Sequence, residues 1–284
     1  MARQFTRKEI LERLRKEIRA GRPIIIVGAG IGITAKFAEI GGADIIGVYN
    51  SGLFRMNGHG SSAAFMPFGD ANEMVLEMGL RSILPIVRNA PVIAGVCGTD
   101  VTKVMEVFLR RIKEAGFSGV MNFPTVGALD GIYRQKLEDL GMGYDKEVEL
   151  MRLAHDMDMF CICYAYKPDE ARKMASVGND VLIAHLGLTT GGSVGSKRAI
   201  TIEEAVPRVQ EMIKAAKEMN NDIICLAHGG PISSPKDTEY IYKNTDAVGF
   251  LGASSIERIP VERAIKKATE EFKSVFLKTE GNNQ

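Results

Sequence analysis

The chain has 284 residues, of which 45% are hydrophobic and 25% are charged, as in most globular proteins. Its 36 lysines and arginines nearly balance its 35 aspartates and glutamates, which leaves a formal net charge of +1. This balance provides no basic surplus for a nucleic-acid backbone or an anionic membrane, so we predict neither as a partner. The sequence begins with a charged amphipathic segment, and no apolar stretch approaches about 20 residues. We therefore expect a cytoplasmic protein without a membrane span.

Strand and helix patterns alternate along the chain. An amphipathic helix is predicted over about residues 6–20, where Ile10, Leu14 and Ile18 recur at helical spacing. Eight short apolar runs then follow, each nearly continuous, which is typical of parallel strands covered on both faces: residues 23–28, 43–49, 91–97, 119–123, 160–166, 180–185, 222–228 and 247–252. The clearest helical segments are residues 101–115, 144–157, 169–177, 202–219, 238–243 and 260–275.

This alternation predicts an α/β fold with one (β/α)8 TIM barrel over about residues 22–277, preceded by the extra N-terminal helix, so that residues 1–284 form a single domain. The alternative is a doubly wound open sheet, because Gly28, Gly30 and Gly32 form a partial dinucleotide-binding fingerprint. The third glycine of that fingerprint comes one position early, and the second strand ends at Asn50 instead of an acidic residue. A tight turn in a barrel is the preferred interpretation.

The four cysteines are expected to be buried and reduced, because Cys97, Cys161, Cys163 and Cys225 lie within or at the end of apolar runs. None of them forms a CxxC motif, which argues against disulfides and against a thiolate zinc site. Lys167 could form a Schiff base at the end of the fifth strand, but the following proline favours a solvated lysine at a helix start.

In a TIM barrel the loops after the strands form the active site, and two of them, residues 51–70 and 124–143, have the length of binding loops or lids. His59, His185 and His228 lie at strand ends or in the first long loop, where an imidazole can act as acid, base or metal ligand. Their spacing matches no HxH or HExxH motif. Catalysis or substrate binding by at least one histidine is the functional interpretation, and a structural hydrogen bond is the alternative.

Small residues follow the seventh and eighth strands, where many barrels bind phosphate with backbone N–H groups. The sequence therefore predicts a phosphate or carboxylate site that includes Gly229, Gly230, Gly252, Ala253, Ser254 and Ser255. Asp70 has two interpretations. It either caps a helix in an Asp-x-x-Glu pattern with Glu73 or presents its carboxylate to a ligand.

The sequence resembles a known family. Ser51-Gly-Leu53, followed by Asp70-Ala-Asn-Glu73, is similar to the Ser-Gly-Leu and Asp-x-Asn-Glu elements of the phosphoenolpyruvate mutase and isocitrate lyase superfamily. Over roughly residues 5–277, the chain resembles the phosphoenolpyruvate hydrolase-like TIM-barrel proteins, also in the segments 184–193, 227–231 and 252–255. That family also supplies the C-terminal domain of plant tobamovirus-resistance proteins.

The resemblance implies a homo-oligomeric hydrolase or lyase that acts on a small anionic substrate, a phospho-oxo-acid or oxo-acid such as phosphonopyruvate or phosphoenolpyruvate. It also implies a catalytic Asp70, with Ser51, Gly52 and Leu53 against the oxyanions of the substrate. Enzymes of the superfamily carry Asp-x-Asp for magnesium after the third strand, where this chain reads Gly95-Val-Cys97. Asn122 replaces the acidic residue of the fourth strand. Because a hard cation needs carboxylate oxygens, we predict neither a metal site nor another cofactor.

The leading hypothesis is an enzyme in which Asp70 is the nucleophile or general base, with His185 and His228 as further catalytic candidates. Arg55 or a histidine then supplies part of the positive charge that a magnesium ion would otherwise provide at the developing enolate. Asn122 binds the substrate. The alternative is a non-catalytic barrel that senses a metabolite or binds a protein partner. The missing magnesium carboxylates favour this alternative, whereas the lid-length loop and the polar barrel mouth favour the enzyme.

Overall fold

The computed structural model describes residues 2–277, and its centre is a closed barrel of eight parallel strands in chain order. The strands are Ile24–Gly28 (β1), Ile45–Val48 (β2), Val92–Val96 (β3), Gly119–Asn122 (β4), Phe160–Ala165 (β5), Val181–His185 (β6), Ile224–His228 (β7) and Gly249–Gly252 (β8). Strand β8 closes the barrel by pairing with β1, with Ile26 opposite Leu251. The predicted TIM barrel is confirmed. The open-sheet alternative is wrong, because an open sheet has two edge strands and every strand of this barrel is paired on both sides.

Helices surround the barrel and close one end of it. They are Arg7–Arg19 (α1), Gly32–Ile40 (α2), Asn50–Met56 (α3), Ala71–Met78 (α4), Met105–Glu114 (α5), Gly131–Asp139 (α6), Tyr144–Asp156 (α7), Pro168–Ser176 (α8), Ile202–Met219 (α9), Pro235–Asn244 (α10) and Arg258–Lys273 (α11). Short helical turns are present at Ser61–Phe65, Gly79–Ile83 and Val126–Ala128. The predicted domain ends, residues 1 and 284, lie outside the described residues.

The strands are apolar on both faces because they separate two hydrophobic layers. Ile26 of β1 belongs to the cluster inside the barrel, whereas its neighbour Val27 packs in the layer between strands and helices. Helix α1 covers the N-terminal end of the barrel and buries Ile10 and Leu14 in the inner cluster. This packing leaves the opposite, C-terminal end of the barrel for a site.

Both long connections contain helices that the sequence analysis did not predict. Helix α3 starts directly after β2, and α6 lies within residues 124–143. Helix α5 begins at Met105 instead of Val101, because Asp100 accepts hydrogen bonds from the N–H and the hydroxyl of Thr102 and holds a turn there. These segments are structured walls around the C-terminal end of the barrel.

Most apolar side chains along the last helix lie on the surface. In α11, Ile265 is 63% exposed and Phe272 is 84% exposed. Ile33 and Phe37 of α2 are also exposed, and a groove of about 440 Å³ runs between α2 and the start of α11. Among the described residues, nothing covers these apolar side chains of α2 and α11, which we call the α2–α11 face.

The three cysteines within strands are buried, as predicted from the sequence. Cys161, Cys163 and Cys225 are buried, and Cys97, directly after β3, is partly buried. Within residues 2–277, no helix has the length and the apolar character that crossing a membrane requires.

Candidate active site at the mouth of the barrel

A cavity of about 350 Å³ lies at the C-terminal end of the barrel, and we call it the mouth cavity. Its polar lining consists of Tyr49, Ser51, Arg55, Ser61, Ser62, Tyr164, Tyr166, His185, Thr189, His228 and Ser254. Phe65, Met66, Phe123, Ala128, Gly187, Leu188, Leu129 and Ala253 form the remaining wall. Among the site residues predicted from the sequence, the cavity brings together Ser51, Arg55, His185, His228, Ala253 and Ser254.

His185 and His228 end neighbouring strands, and their rings meet edge to face with centroids 4.5 Å apart. The Nδ1 atom of His185 accepts a hydrogen bond from the backbone N–H of Gly187 at 2.9 Å, so its proton is on Nε2. The Nδ1 atom of His228 lies 2.6 Å from the carbonyl oxygen of Leu251. A carbonyl only accepts, so His228 carries its proton on Nδ1 and has a lone pair on Nε2. One imidazole is therefore a hydrogen-bond donor through Nε2 and the other an acceptor.

Both imidazoles are neutral near pH 7. Burial lowers the pKa of His228 to about 4, although its hydrogen bond to the carbonyl of Leu251 opposes this shift. Burial also lowers the pKa of His185 well below its usual value, and the neighbouring His228 adds to this effect. A neutral imidazole pair with opposite tautomers can act as general acid and general base without gaining a buried charge beforehand.

Among the residues that the structure describes, Arg55 supplies the one cationic group in the lining, and it is already paired. Helix α3 follows β2 without a loop, which places Ser51 and Arg55 one turn apart on one face. The guanidinium donates to the Ser51 hydroxyl at 2.8 Å and to Glu257 Oε2 at 2.9 Å. Glu257 also accepts from the N–H of Gly30 at 2.5 Å. Although burial opposes the charge, Glu257 and Tyr49 hold the pKa of Arg55 above its usual value.

Tyr49 is a site residue that the sequence analysis missed. Its side chain is buried in the mouth cavity, and its hydroxyl has no hydrogen-bond partner. The ring has room because Gly28 lacks a side chain: a Cβ atom there would lie 2.0 Å from the Tyr49 hydroxyl oxygen. An unpartnered buried hydroxyl is costly. The signal in the sequence was a tyrosine directly at the end of an apolar run, together with the glycine at the end of the preceding strand.

Asp70 lies outside the mouth cavity. Its Oδ1 atom caps α4 by accepting from the N–H groups of Asn72 at 2.9 Å and Glu73 at 3.0 Å. Its Oδ2 atom lies 2.8 Å from Lys103 Nζ. Burial opposes the charge, but Lys103 and the capping bonds hold the pKa of Asp70 below its usual value. The structure shows the helix-capping interpretation of Asp70 and does not place its carboxylate beside the histidines.

Asn122 is also absent from the lining. Its side-chain amide donates to Glu147 Oε2 at 2.6 Å, and its Oδ1 atom accepts from the N–H of Tyr164 at 2.7 Å. The other oxygen of Glu147 accepts from the N–H of Val126 at 2.7 Å. Burial raises the pKa of Glu147 to about 8, although its hydrogen-bond donors oppose the shift. Asn122 therefore positions β5 and Tyr164, in contrast to the direct substrate contact expected from the sequence.

The anion site predicted after β7 and β8 stays a prediction, and of its residues Ala253 and Ser254 line the mouth cavity. Gly229, Gly230, Gly252 and Ser255 do not line the mouth cavity. The N–H of Gly230 donates to the carbonyl of Gly187 at 3.0 Å, so it is already used. A Cβ atom on Gly252 would lie 2.3 Å from the side chain of Ile256, which is a packing contact.

Gly52 and Leu53 have packing roles as well. A Cβ atom on Gly52 would lie 2.7 Å from the Cα atom of Gly30, so this glycine allows α3 to approach the loop after β1. Leu53 packs against the hydrophobic layer outside the barrel. Of the Ser-Gly-Leu element, Ser51 alone lines the mouth cavity.

The residues at the expected magnesium positions do not fit a hard cation. Gly95 has no side chain and packs closely against Tyr49, and the Cys97 thiol lies 3.6 Å from the Thr99 hydroxyl. The Asn122 amide is hydrogen-bonded to Glu147. Within residues 2–277, no group of three His, Cys, Asp or Glu side chains is arranged to hold a metal ion. Magnesium prefers carboxylate oxygens, and these three positions supply none.

The fold is that of a class of TIM barrels known from solved structures. Phosphoenolpyruvate phosphomutase from Streptomyces platensis subsp. rosaceus is similar with a TM-score of 0.59 and 17% identity, covering 93% of this chain and 86% of that chain. Phosphonopyruvate hydrolase, solved with oxalate and Mg++, has a TM-score of 0.56 and 18% identity, covering 95% of this chain and 87% of that chain. At these identities the likeness is one of fold.

Comparison of the sequence identifies the family, which likeness of fold alone does not. The family model described as phosphoenolpyruvate hydrolase-like matches residues 9–275, and the chain belongs to that family. The tomato (Solanum lycopersicum) ToMV susceptible protein tm-1(GCR26) is 51% identical over 269 residues, which are 94% of this chain and 36% of that protein. The tomato ToMV resistance protein Tm-1(GCR237) is 51% identical over 272 residues, 95% of this chain and 36% of that protein. The chain thus spans about a third of the length of these curated relatives.

Proposed function

We propose that the protein is a hydrolase or lyase that cleaves a small oxo-acid through an enolate, with His185 and His228 as acid and base. The observation that carries this proposal is the pair of opposite tautomers in one cavity, with rings 4.5 Å apart. The enzymes whose folds are similar include a phosphonopyruvate hydrolase, which supports chemistry of the oxo-acid or phospho-oxo-acid type.

In this proposal, His228 Nε2 takes a proton from a water molecule. At the same time the water oxygen bonds to an electrophilic atom, a carbon or a phosphorus, that is attached to the carbon next to the ketone, the α-carbon. The bond to the α-carbon then breaks, and its electron pair forms the enolate. His185 Nε2–H donates a hydrogen bond to the enolate oxygen. The proton held by His228 returns to the α-carbon as the enolate becomes the ketone, which completes the cleavage and leaves His228 neutral again. His185 keeps its Nε2 proton throughout.

The test is turnover by variants that retain the structural hydrogen bonds of each histidine. An asparagine can replace Nδ1 in its bond to Gly187 or Leu251 and removes Nε2. We expect His185→Asn and His228→Asn to lower turnover by about 10²–10⁴-fold. The assay follows pyruvate release from phosphonopyruvate and phosphoenolpyruvate, then other oxo-acids, with and without magnesium. His155→Asn is the matched control, because His155 lies on α7 outside the mouth cavity. Unchanged turnover in both mouth variants would contradict the proposal.

A second candidate is a non-catalytic barrel that binds a metabolite or a protein. Its support is that two relatives with 51% identity are described as a viral susceptibility protein and a viral resistance protein. Tight binding of an oxo-acid without turnover of any tested compound would favour this candidate over the enzyme.

We also propose that the protein is a cytoplasmic homo-oligomer. The uncovered α2–α11 face supports assembly, because soluble monomers rarely expose large apolar patches. The buried strand cysteines are compatible with a reducing compartment.

A further inference from the structure

Within residues 2–277, the mouth cavity has no free positive charge for a doubly charged anion. Arg55 is the one charged residue that this part of the chain contributes to the lining, and its guanidinium is 2.9 Å from Glu257, with both side chains at most 1% exposed. The two histidines are neutral because burial lowers the pKa of each. A phosphonate or phosphate would therefore lose its hydration without gaining a counter-charge, which is unfavourable. A single carboxylate carries one negative charge and so needs less counter-charge than a phosphonate. The side chains of Ser51, Thr189 and Ser254 in the lining carry neutral hydroxyl donors.

Aromatic rings form much of the cavity wall. Phe65 packs against Phe123 with centroids 5.5 Å apart, and Phe123 packs against Tyr164 at 5.8 Å. Tyr166 stacks on His185 at 4.3 Å. A bound aromatic ring can extend this series through offset-stacked or edge-to-face contacts, which stabilise beyond the area that they bury.

The cavity is also larger than a three-carbon acid requires. Its volume of about 350 Å³ lies within the range of pockets that hold drug-sized ligands. A second cavity of about 620 Å³ adjoins it, and Phe65, Met66 and Leu129 line both. These three side chains form an apolar wall that an organic substituent can contact from the mouth cavity.

We infer that the ligand of the mouth cavity is a singly charged 2-oxo-acid that carries an aromatic ring, with the ring against Phe65 and Leu129 and the oxo-acid beside His185 and His228. The inference rests on the proposed function for the position of the oxo group. It narrows the substrate class from oxo-acids in general to aryl oxo-acids, and it places phosphonates among the poorer ligands.

Calorimetric titration with phenylpyruvate, pyruvate and phosphonopyruvate tests the inference without an activity assay. We expect phenylpyruvate to bind at least about tenfold more tightly than the other two compounds. Phe65→Ala and Leu129→Ala should each weaken phenylpyruvate about tenfold and leave pyruvate binding unchanged. Phe37→Ala is the matched control, because Phe37 is 59% exposed on α2 and lines no part of this cavity.

The outcomes separate this inference from the proposed function. Tighter binding of phosphonopyruvate or pyruvate than of phenylpyruvate would overturn the inference, even if His185→Asn and His228→Asn abolish turnover. Equal weakening of phenylpyruvate and pyruvate by Phe65→Ala would overturn it as well, since a general disturbance of the cavity would explain that result. Preferential phenylpyruvate binding that depends on Phe65 supports the inference. It does so even where the wild-type protein turns over none of the tested compounds and the proposed function therefore fails.

Discussion

Arg55 and Glu257 form a buried ion pair between the helix after β2 and the residue preceding α11, with a guanidinium-to-carboxylate distance of 2.9 Å. Removing one partner leaves the other charge buried and unpaired. We expect Glu257→Gln to lower the free energy of unfolding by about 3–5 kcal/mol in chemical denaturation. Glu106→Gln is the control, because it breaks an exposed ion pair with Arg110. It should change the free energy of unfolding by less than about 1 kcal/mol.

The same variant tests the charge balance of the mouth cavity. If Glu257→Gln remains folded, Arg55 has no counter-charge, and phosphonopyruvate should bind more tightly than to the wild type in calorimetry. Unchanged stability together with unchanged phosphonopyruvate binding would mean that Glu257 does not neutralise Arg55 in solution.

His228 should make stability depend on pH in the acidic range. Its pKa is about 4 in the folded protein against a usual value of 6.5, so the unfolded chain takes up the proton first as the pH falls. Stability should therefore decrease between pH 6.5 and pH 4, by on the order of 3 kcal/mol from this group. His228→Asn lacks the titrating ring, so its stability should fall less over the same range. Parallel denaturation curves for wild type and variant across this range would contradict the burial of a neutral His228.

Asp70→Asn distinguishes the helix cap from a catalytic carboxylate. Asparagine is also a good N-cap, so α4 should be retained, and the lost contact with Lys103 should cost about 1 kcal/mol or less. Because the proposed acid and base are His185 and His228, turnover should stay within about twofold of the wild type. A loss of a hundredfold or more with unchanged ligand binding would restore Asp70 as the nucleophile or base.

The protein should need no magnesium. Gly95, Cys97 and Asn122 offer no carboxylate at the positions where a metal would be expected. Elemental analysis of the purified protein should find no stoichiometric divalent ion, and calorimetry should show no submillimolar magnesium binding. One tightly bound divalent ion per chain would defeat this prediction.

The α2–α11 face should hold copies of the chain together. Ile265→Asp or Phe272→Asp places a charge on this apolar surface and should shift the protein toward the monomer in sedimentation velocity. Lys266→Asp is the matched control, because Lys266 is exposed on the same helix and pairs with Glu270. A wild-type protein that is monomeric at micromolar concentration would exclude the assembly.

The sequence by itself determined the barrel, since its signals are local. Eight apolar runs separated by helical segments have few solutions other than a closed parallel sheet, and the closed strand order confirms it. The cap at Asp70 is equally local, because it depends on N–H groups two and three residues away. Helices α3 and α6 were missed because they lie within polar connections without a strong apolar repeat.

The tertiary structure alone decided which polar residues share a cavity. Arg55 meets Glu257 across 202 positions of sequence, and the tautomer of His228 depends on a carbonyl 23 residues away. Asn122 at the end of β4 and Asp70 at the start of α4 have suitable chemistry, but their hydrogen bonds hold them in the protein framework. Tyr49 lines the cavity because Gly28 on the neighbouring strand leaves space for its ring. A strand pattern predicts where a side chain emerges, whereas its partners depend on how the closed barrel aligns distant segments.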